Sequence, residues 1–381
     1  MKIAHIGLAS FFTNSMTYQD NYLTEQNVKD GHEVLYISNA AKYADGSIVK
    51  TGYEDTVLPW GLHLVRMPHE HILNGFVSDK VRKVRGLYAL LEEFGPDVIL
   101  SHGLGYWSVR DVIRYKKAHP SVKLYADTHT AYNNSGTNWL SLHILHKIYY
   151  KWLTQKALPY LEKYFYIGES EHVFSREVYG VPEDLMEYYP LGGVLPTQEE
   201  YAARRAARRK ELGLTDADRL YVHSGKLDAR KRTEELLRAF AAVEDNHAVL
   251  AIIGSIPEEM KPVLLPLIDA DKRVKYLGWK TGAELQEYLC ACDLYCQPGS
   301  VSATMQNAIC CGCAVMAFPH LPYTKHLDWG NLLWVKTQAD VEAVFRTLAA
   351  NASQLDTLKQ NSRRCAEELL DYRKLAARLY Q

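Results

Sequence analysis

Leu294-Tyr295-Cys296-Gln297-Pro298-Gly299-Ser300-Val301-Ser302-Ala303-Thr304-Met305-Gln306-Asn307-Ala308 passes from a short apolar run, through small and hydroxylated residues, into the start of a helix. Open parallel sheets bind ligands just beyond the carboxyl ends of their strands, so this stretch reads as the ligand loop of such a sheet. Its backbone N–H groups and hydroxyls can meet an anion at the positive end of the helix dipole, and the same residues also satisfy a plain N-cap. A second stretch has the same grammar. After a strand ending at His223, Ser224-Gly225-Lys226-Leu227-Asp228-Ala229-Arg230-Lys231 leads into a helix at Thr233. The glycine permits a sharp turn, and two lysines five apart can converge on a diphosphate.

Working outward, short apolar strands alternate with longer amphipathic stretches from end to end, the pattern of parallel sheets with crossover helices. Strands are predicted near 3–8, 33–38, 62–67, 97–101, 122–126 and 164–167, with helices near 17–30, 78–94, 107–118, 138–158 and 170–179. The second half repeats the theme, with strands near 219–224, 248–253, 273–277, 293–296 and 314–317 and helices near 232–243, 257–268, 282–291, 302–311 and 338–350. The fold class is therefore α/β, with two doubly wound Rossmann-like domains. Pro190-Leu191-Gly192-Gly193-Val194-Leu195-Pro196 breaks the pattern and marks a hinge. The expected organisation is a first domain over 1–190, a second over 191–365, and a helix over 366–381 returning across the cleft to the first.

Two such cores suit 381 residues, and 47% hydrophobic with 23% charged residues is ordinary for an ordered globular chain. A net charge of -1 gives no global pull toward nucleic acid. The apolar runs stop short of the ~18 to 20 residues of a spanning helix, which leads to the expectation of a cytoplasmic protein. Six of the seven cysteines fall between Cys290 and Cys313 without paired C-x-x-C spacing, and read as core thiols in a reducing compartment. The arginines of the predicted helix 202–212 read as a solvated basic face. Asp216-Ala217-Asp218 and Asp269-Ala270-Asp271 precede strands, the wrong end of a parallel sheet for a ligand, and read as turn and cap residues.

The run Val274-Lys275-Tyr276-Leu277-Gly278-Trp279, then Glu284-Leu285, Cys292 to Pro298, and Cys311-Gly312-Cys313-Ala314-Val315 resembles the donor domain of family-4 glycosyltransferases, the glycosyl transferases group 1 with the GT-B fold. Gly31-His32-Glu33-Val34, Pro96-Asp97-Val98-Ile99 and Ala126-Asp127-Thr128-His129 extend the likeness through the first half. The resemblance implies two Rossmann-like domains facing each other across a cleft. It implies a hexosyl transfer from a nucleotide diphosphate sugar, UDP being favoured, to a glycan or lipid-linked acceptor, with retention and with no metal or other cofactor. Surface polysaccharide or glycoconjugate synthesis is the process it suggests.

By position, the resemblance assigns the donor diphosphate to Gly225, Lys226 and Lys231, with Lys226 standing where the family usually has arginine. That exchange keeps the charge and loses the guanidinium fork. His129 takes the place of a histidine that faces the transferred sugar, so His129, Lys226 and Lys231 are the catalytic candidates. Gly278, Trp279, Ser300, Val301, Ser302, Ala303, Thr304 and Asn307 complete the donor set. The family's two glutamates, eight positions apart, fall here on Gly299 and Asn307. Asn307 can still accept from a ribose hydroxyl, whereas Gly299 offers only backbone. For the acceptor, Asn14, Ser15, Met16 and Thr17 after the first strand, with His102, Asn133 and Asn134, supply hydroxyls and amides.

Two other functions compete. A sugar-nucleotide 2-epimerase shares the fold, but needs acid and base groups that the alignment does not supply. A non-catalytic partner subunit would account for the missing glutamates and not for the retained lysines. Peripheral contact with anionic membrane is a further expectation. The segment 142–158 places Leu145, Ile148, Tyr149, Trp152 and Leu153 on one face and Lys147 and Lys151 on others, and its plain alternative is a core-facing helix.

Overall fold

The apolar runs of the first half form parallel strands buried on both faces, as expected where crossover helices cover a sheet. In the computed structural model, which describes residues 1–14, 18–44, 47–300, 302–319 and 326–381, these are β1 (Lys2–Gly7), β2 (Glu33–Asn39), β6 (His63–Met67), β7 (Val98–His102), β8 (Lys123–Thr128), β9 (Lys163–Tyr166) and β10 (Met186–Tyr188). Between β2 and β6 lie β3 (Ala41–Ala44), β4 (Ser47–Lys50) and β5 (Glu54–Val57), which the sequence reading passed over. Contacts group the chain into two units, Met1–Pro190 with Tyr372–Gln381, and Leu191–Asp371.

In the first unit the sheet order is β10-β9-β8-β7-β1-β2-β6-β5, parallel except where β5 pairs antiparallel with β6. The chain leaves β1 for β2 on one side and returns to β7 on the other, so the switch point lies between β1 and β7. Ile6, Leu35, Ile99 and Leu124 belong to the core on one face. Ile3, Leu23, Leu100 and Tyr125 pack on the other with Leu375 and Leu379 of the terminal segment. The return to this unit begins at Tyr372. Residues 366–371 stay with the second unit, where Ala366 and Leu370 are buried in its core. The single helix expected over 78–94 is two, Gly75–Val81 and Leu87–Phe94, because Arg82 and Gly86 take left-handed conformations at φ 55° and 88°.

The second unit is a parallel sheet of order β13-β12-β11-β14-β15-β16, formed by β11 (Arg219–Ser224), β12 (Ala248–Ile253), β13 (Val274–Tyr276), β14 (Leu294–Gln297), β15 (Ala314–Ala317) and β16 (Leu332–Trp334). Its switch point falls between β11 and β14. All seven cysteines are buried and free. The arginines of the helix Gln198–Glu211 correct the expectation of a solvated face. Arg205 and Arg209 reach the Asp293 carboxylate at 2.8 and 3.3 Å, and Arg208 binds Glu287. Lys359 at 2.8 Å and the Leu220 amide at 2.9 Å complete the shell of Asp293. Burial opposes its charge, but Lys359 and Arg205 hold the carboxyl below its usual range. Asp218 closes a turn on the Thr215 amide at 2.7 Å, and Asp271 pairs with Arg273 at 2.6 Å.

Candidate functional site

At the switch point of the second unit, the turns after β11, β12 and β14 pack backbone against backbone. Gly225 and Gly254 have φ of +131° and +138°, and a Cβ on Gly254 would lie 1.8 Å from the Gly225 carbonyl oxygen. Only glycine fits there. A Cβ at position 299 would meet the Arg230 carbonyl oxygen at 2.2 Å, so the place where the resemblance expects a glutamate has no room for any side chain. The Ser300 amide donates to that same Arg230 carbonyl at 2.8 Å, which locks the β14 loop onto the β11 loop.

Lys231 lies inside this junction. Its aliphatic stem runs over Gly225, within 3.0 Å of where a Cβ would stand, and its ammonium donates to the Ser300 carbonyl at 3.3 Å. The residue is only 8% exposed. Burial pushes its pKa below that of a free lysine, against the pull of Asp228. Lys226 is exposed, and its carbonyl accepts from the Asp228 amide at 2.8 Å. Ser302 and Thr304 share a hydroxyl hydrogen bond of 3.0 Å at the mouth of the helix Thr304–Cys310. Ala303 is exposed beside them. Asn307, half-buried one turn on, directs its Oδ1 to within 3.2 Å of a Cβ built on Gly193. Gly278 accepts from the Gly254 amide at 2.8 Å, and Trp279 beside it is 69% exposed. Val301 lies outside the described residues.

Two supports of this junction carry no sequence signal. His223, on β11, donates through Nδ1 to the Cys296 carbonyl at 2.7 Å and accepts from the Thr233 hydroxyl at 2.9 Å. Burial pushes its pKa down to about 4, so it stays neutral. Arg232, at φ 56°, donates to the Pro298 and Lys336 carbonyls at 3.3 and 2.8 Å.

In the first unit, the acceptor candidates separate. His129 is exposed after β8, in a turn that Asn134 closes by donating to the His129 carbonyl at 2.7 Å and accepting from the Ala131 amide at 2.9 Å. Asn133 is exposed in the same turn, while the amide of Asn134 is committed to it. Asn14 accepts at 3.3 Å from Arg66, a buried guanidinium paired with Glu54. Ser15, Met16 and Thr17 lie outside the described residues. His102, expected at the acceptor, is instead buried in a chain of hydrogen bonds. Its Nδ1 donates to Asp127 at 2.7 Å and its Nε2 meets His5 Nδ1 at 3.1 Å, while His5 Nε2 meets Asn27 Oδ1 at 2.9 Å. With a protonated His102 donating at both ends, a neutral His5 accepts at Nδ1 and donates through Nε2–H to the Asn27 Oδ1. Contact with an acceptor would require one of those bonds to break.

Residues 218–350 match the model of the family described as Glycosyl transferases group 1. No curated protein matches the chain. Among solved structures, sucrose-phosphate synthase from Thermosynechococcus elongatus is similar at 16% identity and a TM-score of 0.65, over 99% of this chain and 97% of that one. HepE of Anabaena, in complex with UDP, is similar at 14% identity and a TM-score of 0.66, over 99% and 98%. WaaG, a glycosyltransferase involved in lipopolysaccharide biosynthesis, is similar at 13% identity and a TM-score of 0.63, over 99% of each chain. At such identities the likeness shows the fold, which is GT-B. Fold and matched stretch together define the class, a glycosyltransferase. The matched stretch lies within the second unit. No helix among the described residues is long and apolar enough to cross a membrane.

Proposed function

We propose that the chain transfers a hexose from a nucleoside diphosphate sugar, with UDP as the nucleotide, to a glycan or lipid-linked acceptor. The observation that carries this reading is Lys231, a nearly buried ammonium at the β11/β14 switch point, where a parallel sheet receives its ligand. Among the described residues the ammonium has one hydrogen-bond acceptor, the Ser300 carbonyl at 3.3 Å, which leaves its charge available for an anion. Lys226 on the same loop adds a second cation, and Ser302 and Thr304 add hydroxyls. Asn307 is the ribose ligand on this reading, and Gly278 and Trp279 border the base or sugar. HepE, solved with UDP and with UDP-glucose, supports the choice of nucleotide.

On this reading the positive charge that stabilises the departing diphosphate anion is supplied by Lys226 and Lys231 rather than by a metal. The bond from the sugar anomeric carbon to the diphosphate oxygen breaks, the acceptor oxygen bonds that carbon on the same face, and its proton passes to a phosphate oxygen. The configuration is retained. The same proposal gives His129 the contact with the transferred sugar and Asn14 and Asn133 the contact with the acceptor. A thermal-shift screen with UDP-, GDP-, dTDP- and ADP-sugars tests the donor choice, because a ligand of the folded state raises its stability. Stabilisation by UDP-sugars above the others is the expected result. Conversion of the donor sugar without any acceptor would favour the epimerase.

A further inference from the structure

The helical segment beginning at Trp139 carries two apolar stripes, and its own unit covers only one. Tyr150, Leu153 and Ala157 are buried in the core, with Leu145 and Tyr149 packed against it. On the other side Trp139, Leu140, Ile144, Ile148 and Trp152 are 68%, 61%, 45%, 60% and 42% exposed. Residues Ser141–Tyr150 are wound as a π-helix, and this wider winding keeps side chains four apart close to one line. Leu73 and Phe76 are also exposed, at 85% and 70%. They flank the start of the helix Gly75–Val81, whose last carbonyls accept from Tyr149 and Tyr150 at 3.2 and 3.0 Å. A surface helix needs to bury one stripe, so a second one left in water marks an interaction surface.

The charge around this surface selects the partner. Residues 128–161 contain no Asp or Glu and carry Lys147, Lys151 and Lys156. Lys80 sits over the Phe76 ring at 5.5 Å, and Arg110 covers Trp107, whose ring meets that of Trp152. Two acids on neighbouring elements are already engaged: Asp79 pairs with Lys50 and His69, and Glu177 accepts from Tyr132 and pairs with Arg176. Lysine is depleted from the cores of protein interfaces, whereas lysine stems beside tryptophan suit the boundary between lipid headgroups and acyl chains.

We propose that this face docks on an anionic lipid surface. Trp139, Ile144, Ile148 and Trp152 enter the headgroup boundary, and Lys80, Lys147, Lys151 and Lys156 meet the lipid charge. The site lies wholly within the first unit and does not rest on the donor reading. The test is co-sedimentation of the full chain with vesicles of equimolar phosphatidylglycerol and phosphatidylcholine, or of phosphatidylcholine alone. The wild type is expected to sediment with the anionic vesicles and to be released by salt. Trp139→Ser/Ile144→Ser/Ile148→Ser and Lys147→Glu/Lys151→Glu are each expected to lower partitioning roughly tenfold or more. An unchanged melting temperature would show that a variant is intact. If the serine variant does not fold, the lysine variant on the same face decides. Equal recovery of the wild type with and without anionic vesicles overturns the proposal, as does undiminished binding by an intact variant. A wild-type dimer that binds no vesicle and that the serine variant dissociates would assign the face to a second copy of the chain.

Discussion

The Lys231 ammonium lies 3.3 Å from the Ser300 carbonyl oxygen, so the loops after β11 and β14 share one cation across the switch point. On the proposed donor reading, a charge held there by the fold is already oriented when a diphosphate arrives. Lys231→Ala is expected to cost ~2 to 4 kcal/mol of transition-state stabilisation, roughly 30- to 1000-fold in kcat/KM. Steady-state kinetics with a UDP-sugar measure it. Near-normal turnover would remove this lysine from the reaction.

Asn307 separates binding from chemistry. If its amide oxygen takes a ribose hydroxyl, Asn307→Ala raises the donor KM more than it lowers kcat, the pattern of lost uniform binding. An unchanged KM would place the ribose elsewhere along the 299–307 loop.

The His102–Asp127 pair makes the stability of the first unit depend on pH. Burial works against a charge on His102, but the Asp127 and Asp20 carboxylates prevail and hold its pKa up to about 9. Its contribution is therefore complete below the unfolded value near 6.5 and is lost as pH rises through about 9. His5 runs the other way: burial and the neighbouring His102 push its pKa down to about 4, so protonation costs stability below about 6.5. Melting temperature is expected to peak near neutral pH and to fall on the alkaline side. The limiting loss there is roughly 3 kcal/mol. In His102→Gln the alkaline slope should flatten. A wild-type profile flat from pH 6.5 to 9 would mean that His102 is neutral in the folded state.

Asp293 is the counter-ion of the second unit. Its carboxylate answers Arg205, Arg209 and Lys359, so Asp293→Asn leaves buried cations without compensation. Urea unfolding should show a loss of roughly 3 to 5 kcal/mol. A loss below about 1 kcal/mol would mean that water screens the cluster as it does a surface pair.

Most strands of both sheets were legible because buried parallel strands read as unbroken apolar runs bounded by turn residues, the three-residue edge strands β10 and β16 excepted. The segments β3, β4 and β5 were not. Their β4 and β5 residues are mostly exposed, so no apolar alternation announces them. The candidate ligand loops at 225–231 and 297–304 stood out because glycine, lysine and hydroxyl side chains follow strands there. The groups that hold them in place did not. His223 bonds a carbonyl 73 residues away, and His5, His102 and Asp127 come from three separate strands, so only the sheet order brings them together. Asp293 likewise finds Arg205 across 88 residues, which is why the arginine helix reads as a solvated face until its partner is in view. Periodicity in 142–158 placed Leu145, Ile148, Tyr149, Trp152 and Leu153 on one face. The structure divides them, turning Leu145, Tyr149 and Leu153 to the core and leaving Ile148 and Trp152 exposed.

The central claim, that the β11/β14 junction of the second unit binds a nucleoside diphosphate through Lys231, is tested most directly by calorimetric titration of UDP into the wild type and Lys231→Ala. Saturable binding to the wild type, weakened roughly 30-fold or more in a variant of unchanged melting temperature, is the expected result. Equal affinity in both proteins, or no binding of UDP, GDP, dTDP or ADP to the wild type, would contradict it.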